Sequence, residues 1–207
     1  MNFPTISKEN PLILASASTR RKRLLQQIGL PFLSLPSHVD EKQFAGKSSF
    51  KAHIMAEKKA TAVHQKTNKN WILGADTIVV LGETVLGKPR DHDEARSMLL
   101  LLRGKEHKVT TGFCLLDPSG MVSHSEDVST RVKMKRLTEE EIEAYISTNE
   151  PFGKAGSYAI QGIGSFMIEA ISGSYTNVVG LPVCALINAL LATGALKRFP
   201  LQSNPGG

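Results

Sequence analysis

The chain has 207 residues, 41% hydrophobic and 21% charged, ordinary for a globular protein and enough to bury the core of one large domain or two closely packed lobes. Lysine and arginine outnumber aspartate and glutamate by 25 to 19, a formal net charge of +6, so an anionic partner is expected. The basic residues are spread along the chain, with Arg20 to Arg23 the one dense cluster. That spread argues against a nucleic-acid surface, which gathers cations into a patch or stripe.

In chain order, Met1 to Asn10 lacks an apolar centre and does not read as a signal peptide. Pro11 to Ala15 is a short apolar strand. Ser16 to Thr19 is a small-residue turn in which Thr19 or Ser18 can cap a helix running to Gln27 and stopped by Gly29. Arg20 and Arg21 stand in its first turn, where cations oppose the helix dipole unless an anion arrives at the same place. Pro31 to Pro36 is a second strand, followed by a polar loop with Asp40-Glu41. Ser48 or Ser49 opens a helix to about His64, with Phe50, Ile54 and Ala60 inward and Lys51, Lys58 and Lys59 around the rest.

The short apolar runs Trp71 to Leu73 and Ile78 to Leu81 flank Gly74-Ala75-Asp76-Thr77, and Gly82-Glu83 turns into Val85-Leu86. Asp91 begins a helix to about Arg103. His107 to Leu116 and Met121 to Lys135 form a hairpin through Asp117-Pro118-Ser119-Gly120. Thr138 with Glu141 makes a capping box for a helix to about Thr148. Gly153 to Gly180 is rich in Gly and Ser, with one strand, Ser165 to Ile171. The uncharged stretch Val178 to Leu196 contains Pro182 and Gly194, so it reads as a buried helix of about a dozen residues rather than a membrane span. The interspersed helices, hairpin and isolated strands predict an α/β fold with a mixed sheet. Cys114 and Cys184 are seventy positions apart in apolar surroundings, which predicts reduced core thiols and an intracellular, cytoplasmic protein.

Asp76 is the most informative residue, since a carboxylate inside an apolar run is costly to bury without hydrogen bonds, a metal or a cation. It reads as a metal ligand or the base that orients a water, a reading the local sequence favours over a cap or a structural ion pair. Ser16 to Arg21 can offer hydroxyls, backbone N–H groups and guanidinium to phosphate, or be a cap before a solvated helix. Asp40-Glu41 is surface charge or a ligand pair for a hard cation. Lys58 is by default a solvated helix residue, whereas Lys88, fixed between Gly87 and Pro89, is placed for a phosphate or for a turn. Gln161 carries the donor and acceptor that reading a base edge requires. The chain has no HExxH, no GxSxG and no GxxxxGK[ST], which excludes the hydrolases built on them.

Taken in order, LILASASTRR, Asp40-Glu41, Glu57-Lys58, GADT, GKPRD, the strand pair, GKAGSYAIQG and GSYTNVVGLP resemble the Maf family of nucleoside triphosphate pyrophosphatases, from Leu12 to about Leu196. The resemblance implies an elongated two-lobed α/β domain (11–196) with a central cleft, similar to the inosine triphosphatases, and a homodimer. It implies cleavage of a nucleoside triphosphate between the α and β phosphates, giving monophosphate and pyrophosphate with Mg2+ or Mn2+. On this likeness Asp76 is the proton acceptor, Glu41 with Asp76 the metal-associated carboxylates, and Ser16, Arg21, Lys58 and Lys88 the phosphate set. Arg20, Thr77 and Gln161 match the branch acting on dTTP and UTP; the branch acting on 7-methyl-GTP would carry Trp, Gln and Glu there. Thr19, where proline is frequent, and Thr176 depart from the pattern. The resemblance assigns nothing to 1–10 and 197–207. The rivals are the same chemistry on 7-methyl-GTP or inosine-type triphosphates, and a septum-formation regulator that binds without catalysis.

Overall fold

A computed structural model of the chain describes residues 3–39, 52–67 and 69–201. The first apolar run forms strand β1 (Leu12–Leu14), fully buried, and leads through Ser16 to Ser18 into helix α1 (Thr19–Gln27). Ser18 is the cap, its Oγ accepting the Arg21 N–H. Strand β2 (Phe32–Ser34) returns beside β1, and helix α2 (Ala52–His64) precedes the long strand β3 (Ile72–Leu81). Strand β4 (Thr84–Leu86), helix α3 (His92–Leu102, capped by Asp91), strands β5 (Glu106–Leu116) and β6 (Val122–Met134), and helix α4 (Glu139–Ser147) follow. The capping box at α4 is complete: Thr138 Oγ1 accepts the Glu141 N–H, and the Glu141 carboxylate accepts the Thr138 N–H. Strand β7 (Ile168–Ser172) and helices α5 (Tyr175–Val179) and α6 (Val183–Ala192) complete the fold.

The sheet runs β2-β1-β3-β5-β6-β7, with β4 also on β3. Strands β2 and β3 flank β1 in parallel, and the remaining pairs are antiparallel. The mixed α/β architecture expected from the sequence is what folds. Among the described residues no helix is long and apolar enough to cross a membrane.

Strand β3 joins two hydrophobic cores. Its first half carries Leu73 and Ala75 into a cluster with Leu12, Leu14, Leu25 and Leu186, while Ile72 faces a smaller one with Ala56, Ala60 and Val63 of α2. Its second half carries Val79 into a cluster with Leu99, Leu102, Ile142 and Tyr145 of α3 and α4. Each fully buried Leu or Ile contributes about 1.5–3 kcal/mol relative to exposure. The registers divide at the same place: β1 pairs with β3 as far as Leu73, β4 pairs from Val79, and β5 pairs along the other edge throughout. Among the described residues the strand therefore has a strand partner on one side only from Gly74 to Ile78, which opens a gap between the cores.

Four local expectations are corrected. The GADT segment is the middle of one continuous strand, because pairing to β5 carries extended backbone through both apolar runs. In α2 the buried face is Ala52, Met55, Ala56, Lys59, Ala60 and Val63, so Ile54, expected inward, is 44% exposed and Lys59, expected outward, is buried. Ser165 to Met167 belong to a 3-10 turn before β7, and α5 was not anticipated. Cys114 is in the core, with burial pushing its thiol up to about 12, whereas Cys184 is exposed on α6.

Candidate active site

The gap in β3 opens into a cleft of about 650 Å³. Successive residues of a strand point to opposite faces of the sheet, so Asp76 and Thr77, both lining this cleft, build two different walls.

Asp76 points with Gly74 toward α2. A Cβ on Gly74 would lie 1.9 Å from the Ala56 carbonyl oxygen, and one on Gly112, which pairs with Asp76, would lie 2.0 Å from the His53 nitrogen. Two glycines on neighbouring strands thus let the backbone of α2 lie directly on the sheet. The close approach delivers Lys59, whose Nζ donates to Asp76 Oδ1 at 2.6 Å, with side chains 7% and 11% exposed. The bond is made at Oδ1 of a carboxylate that lines the cleft.

Thr77 points to the opposite wall. Its Oγ1 accepts from Arg21 Nη2 at 3.0 Å and shares a hydrogen bond of 2.9 Å with Thr111 Oγ1. Arg21 is buried; its Nε donates to the Gly180 carbonyl at 2.7 Å and its Nη1 to Ser16 Oγ at 3.2 Å. Thr111 Oγ1 donates in turn to the Asn177 carbonyl, and the Asn177 amide nitrogen donates to the Val109 carbonyl and to Thr130 Oγ1. Among the described residues, neutral oxygens of Ser16, Thr77 and Gly180 accept from the guanidinium and orient it.

Arg20 lies alongside, with Nε donating to the Val179 carbonyl at 3.2 Å. Burial pulls its guanidinium below the ordinary value, with nearby Tyr145 acting the other way. Lys154 is lowered by burial first and then by the charge of Arg20, against the opposing effect of Glu150. An anion arriving in the cleft would relieve both. Among the described residues five cations (Arg20, Arg21, Lys59, Lys88, Lys154) and one carboxylate (Asp76) line it, along with apolar surface from Phe152, Tyr158 and Val178.

The structure brings Ser16, Arg20, Arg21, Asp76, Thr77, Lys88 and Gln161 into this one cleft. It does not bring Lys58, which is exposed and borders a separate shallow depression with Glu57 and Gln65. Among the described residues it is the neighbouring Lys59 that reaches this cleft: one residue along a helix is a turn of about 100°, and the buried stripe of α2 passes through 59. The sequence held the signal, because Lys59 interrupts an otherwise apolar stripe at 52, 55, 56, 60 and 63. Lys154 was likewise not singled out. Asp40 and Glu41 lie outside the described residues.

Among the described residues no group of three or more potential metal ligands comes together. The donor set among them is the carboxylate of Asp76, in a cleft whose other charged groups are cations. That fits a hard cation such as Mg2+ held by one or two carboxylates and completed by phosphate oxygens, and does not fit an all-protein cage.

A divided α/β sheet with a cleft at its fork that is lined, among the described residues, mostly by cations suits a small polyanion. Comparison with known proteins sharpens the class: the model of Maf-like proteins matches residues 11–193, and the chain belongs to the Maf family. It is 48% identical over 181 residues (86% of this chain, 94% of the relative) to the dTTP/UTP pyrophosphatase of Ruminiclostridium cellulolyticum. It is 43% identical over 194 residues (92% and 88%) to the protein of that name from Syntrophotalea carbinolica. With the one from Citrifermentans bemidjiense it shares 44% over 191 residues (91% and 98%). Among solved structures, the nucleoside-triphosphatase / dITP/XTP pyrophosphatase of Mycobacterium abscessus matches over 90% of this chain and 97% of that one, at 13% identity and TM-score 0.45, too loose a likeness to build on.

Proposed function

We propose that this protein hydrolyses dTTP and UTP between the α and β phosphates, giving nucleoside monophosphate and pyrophosphate. The observation that carries the reading is the composition of the cleft, five cations around one carboxylate among the described residues, in a chain close to half identical to proteins named dTTP/UTP pyrophosphatase. A triphosphate carries the charge that such a lining compensates, and a cleft of this volume is in the range of small-molecule sites.

In this reading Arg21, Ser16, Lys59 and Lys88 hold the phosphates, and the fixed guanidinium of Arg21 suits two phosphate oxygens at once. Asp76 takes the proton of the attacking water while Lys59 holds the carboxylate in place. Water adds at phosphorus, the bridging P–O bond breaks, and pyrophosphate leaves into the cationic wall, which stabilises the charge that develops there. Asp76 and Glu41 are the residues that would hold a divalent cation, which when bound adds charge neutralisation on the phosphates. Arg20, Thr77 and Gln161 form the base end, with Thr77 acting through its hydrogen bond to Arg21. A homodimer in the cytoplasm is the family-level expectation that completes the proposal.

The test is a panel of canonical and modified nucleoside triphosphates with Mg2+ or Mn2+, assaying pyrophosphate and orthophosphate separately. Pyrophosphate from UTP and dTTP ahead of 7-methyl-GTP and ITP is expected. Orthophosphate as the product, or no turnover of any triphosphate, would sink the proposal.

A further inference from the structure

Glu150, in the turn after α4, is absorbed by none of the roles above, yet its carboxylate faces the segment that carries Gln161. Its Oε1 accepts the N–H of Ile163 at 3.1 Å, and its Oε2 accepts the N–H of Gly164 at 2.8 Å. Tyr145 of α4, 2% exposed, lies near the same carboxylate, and its hydroxyl accepts the N–H of Ala159 at 3.2 Å. Gln161 is thus bracketed: the amide two residues before it ends on Tyr145, and the amides two and three residues after it end on Glu150.

The backbone between them is pressed against that pair. Gly162 has φ of 80° and ψ of −149°, a region essentially reserved for glycine. A Cβ there would meet Glu150 Oε1 at 2.2 Å, and one on Gly164 would meet the Tyr145 hydroxyl at 2.7 Å. Lys154, which lines the cleft, donates through Nζ to the Glu150 carbonyl, so the clamp is fastened from the substrate side too. Burial acts to raise the Glu150 carboxyl, but the amides of Gly164 and Ile163, with Tyr145 and Lys154 nearby, keep it below its usual range.

We propose that Glu150, with Tyr145, is a positioning residue for base recognition: it sets the height and direction of Gln161 in the cleft and takes no part in the phosphate chemistry. The proposal rests on Gln161 reading the base, as stated under Proposed function. A loop held at only one end could turn the Gln161 amide over, exchanging donor for acceptor. That exchange is the difference between the uracil and cytosine edges.

The experiment measures kcat and KM for UTP and CTP in the full-length protein, its Glu150→Gln, Tyr145→Phe and Gln161→Ala variants, and the Glu150→Gln/Gln161→Ala double variant. Glu150→Gln turns an NH2 toward a backbone N–H and should lower the UTP-to-CTP ratio of kcat/KM about tenfold, the scale of one well-placed hydrogen bond, through KM for UTP with kcat nearly unchanged. Tyr145→Phe should move the ratio the same way by less. The double variant should match Gln161→Ala alone, because both changes remove one function. A purely structural brace would depress both substrates equally, so a folded Glu150→Gln protein with an unaltered ratio overturns the clamp. If Glu150→Gln does not fold, Tyr145→Phe decides by the same criterion. An unaltered ratio in Gln161→Ala refutes base reading by Gln161 itself. A ratio sensitive to Gln161 and indifferent to Glu150 and Tyr145 refutes the clamp alone.

Discussion

On the α2 wall of the cleft Asp76 meets a cation at 2.6 Å, whereas on the opposite wall Arg21 is held through the neutral oxygens of Ser16, Thr77 and Gly180. The first arrangement aims a carboxylate by pairing it with a lysine, and so depends on a helix lying unusually close to the sheet. The second aims a cation with neutral acceptors, and so depends on a chain of hydroxyls and carbonyls reaching back to Asn177 and Thr130. A site that must act on a phosphoanhydride needs both: a steered acceptor for a proton, and an oriented positive charge for the anion that leaves.

The comparison can be broken most sharply at Asp76. Asp76→Asn should fold normally, since the amide oxygen can still accept from Lys59, while kcat falls by about 10²–10⁴-fold, the usual contribution of a positioned general base. Initial rates beside a thermal melt test this, and near-normal turnover would remove Asp76 from catalysis. Next comes the lysine pair. Lys59→Met should cost about 10²-fold in kcat/KM and destabilise the fold by several kcal/mol by leaving a buried carboxylate unpaired, whereas Lys58→Met should stay within about twofold. Equal effects at the two positions would return Lys58 to the site.

Gly112→Ala probes the close approach itself. Its methyl would strike helix backbone, which cannot rotate aside, so a loss of about 1–3 kcal/mol by urea titration is expected, with lowered activity because Lys59 is lifted from Asp76. The smallest effect is on the neutral wall. Thr77→Val removes one neutral anchor of Arg21 and should raise KM for the triphosphate about fivefold, near 1 kcal/mol for one hydrogen bond, with kcat largely kept. A large kcat effect there would mean that the two walls are not separable.

Features fixed by near neighbours were legible in the sequence. Ser18, Asp91 and Thr138 cap helices where the spacing placed them, because a cap is a contact within three or four residues. Asp76 announced itself as a charge among apolar side chains. What escaped depended on rotation or on distant partners. Lys58 and Lys59 differ by one step of helix phase, and only packing on Gly74 and Gly112 decides which is buried. The continuity of β3 through GADT comes from β5, more than thirty residues later. Glu150 carries no local sign of its contacts, because its partners, Ile163 and Gly164, lie beyond a glycine whose conformation the local sequence leaves open.

The one-sided stretch of β3 from Gly74 to Ile78 has a further consequence. In an antiparallel pair, peptide groups alternate between facing the partner and facing away, so every second N–H here faces away from β5, with no second strand among the described residues to receive it. These few amides sit at the junction of two well-packed cores yet lack the shielding that their neighbours enjoy. In deuterated solvent they should exchange early against a slow background, and slow selectively when a nucleotide fills the cleft. The fork that makes room for chemistry thereby also supplies a built-in reporter of occupancy.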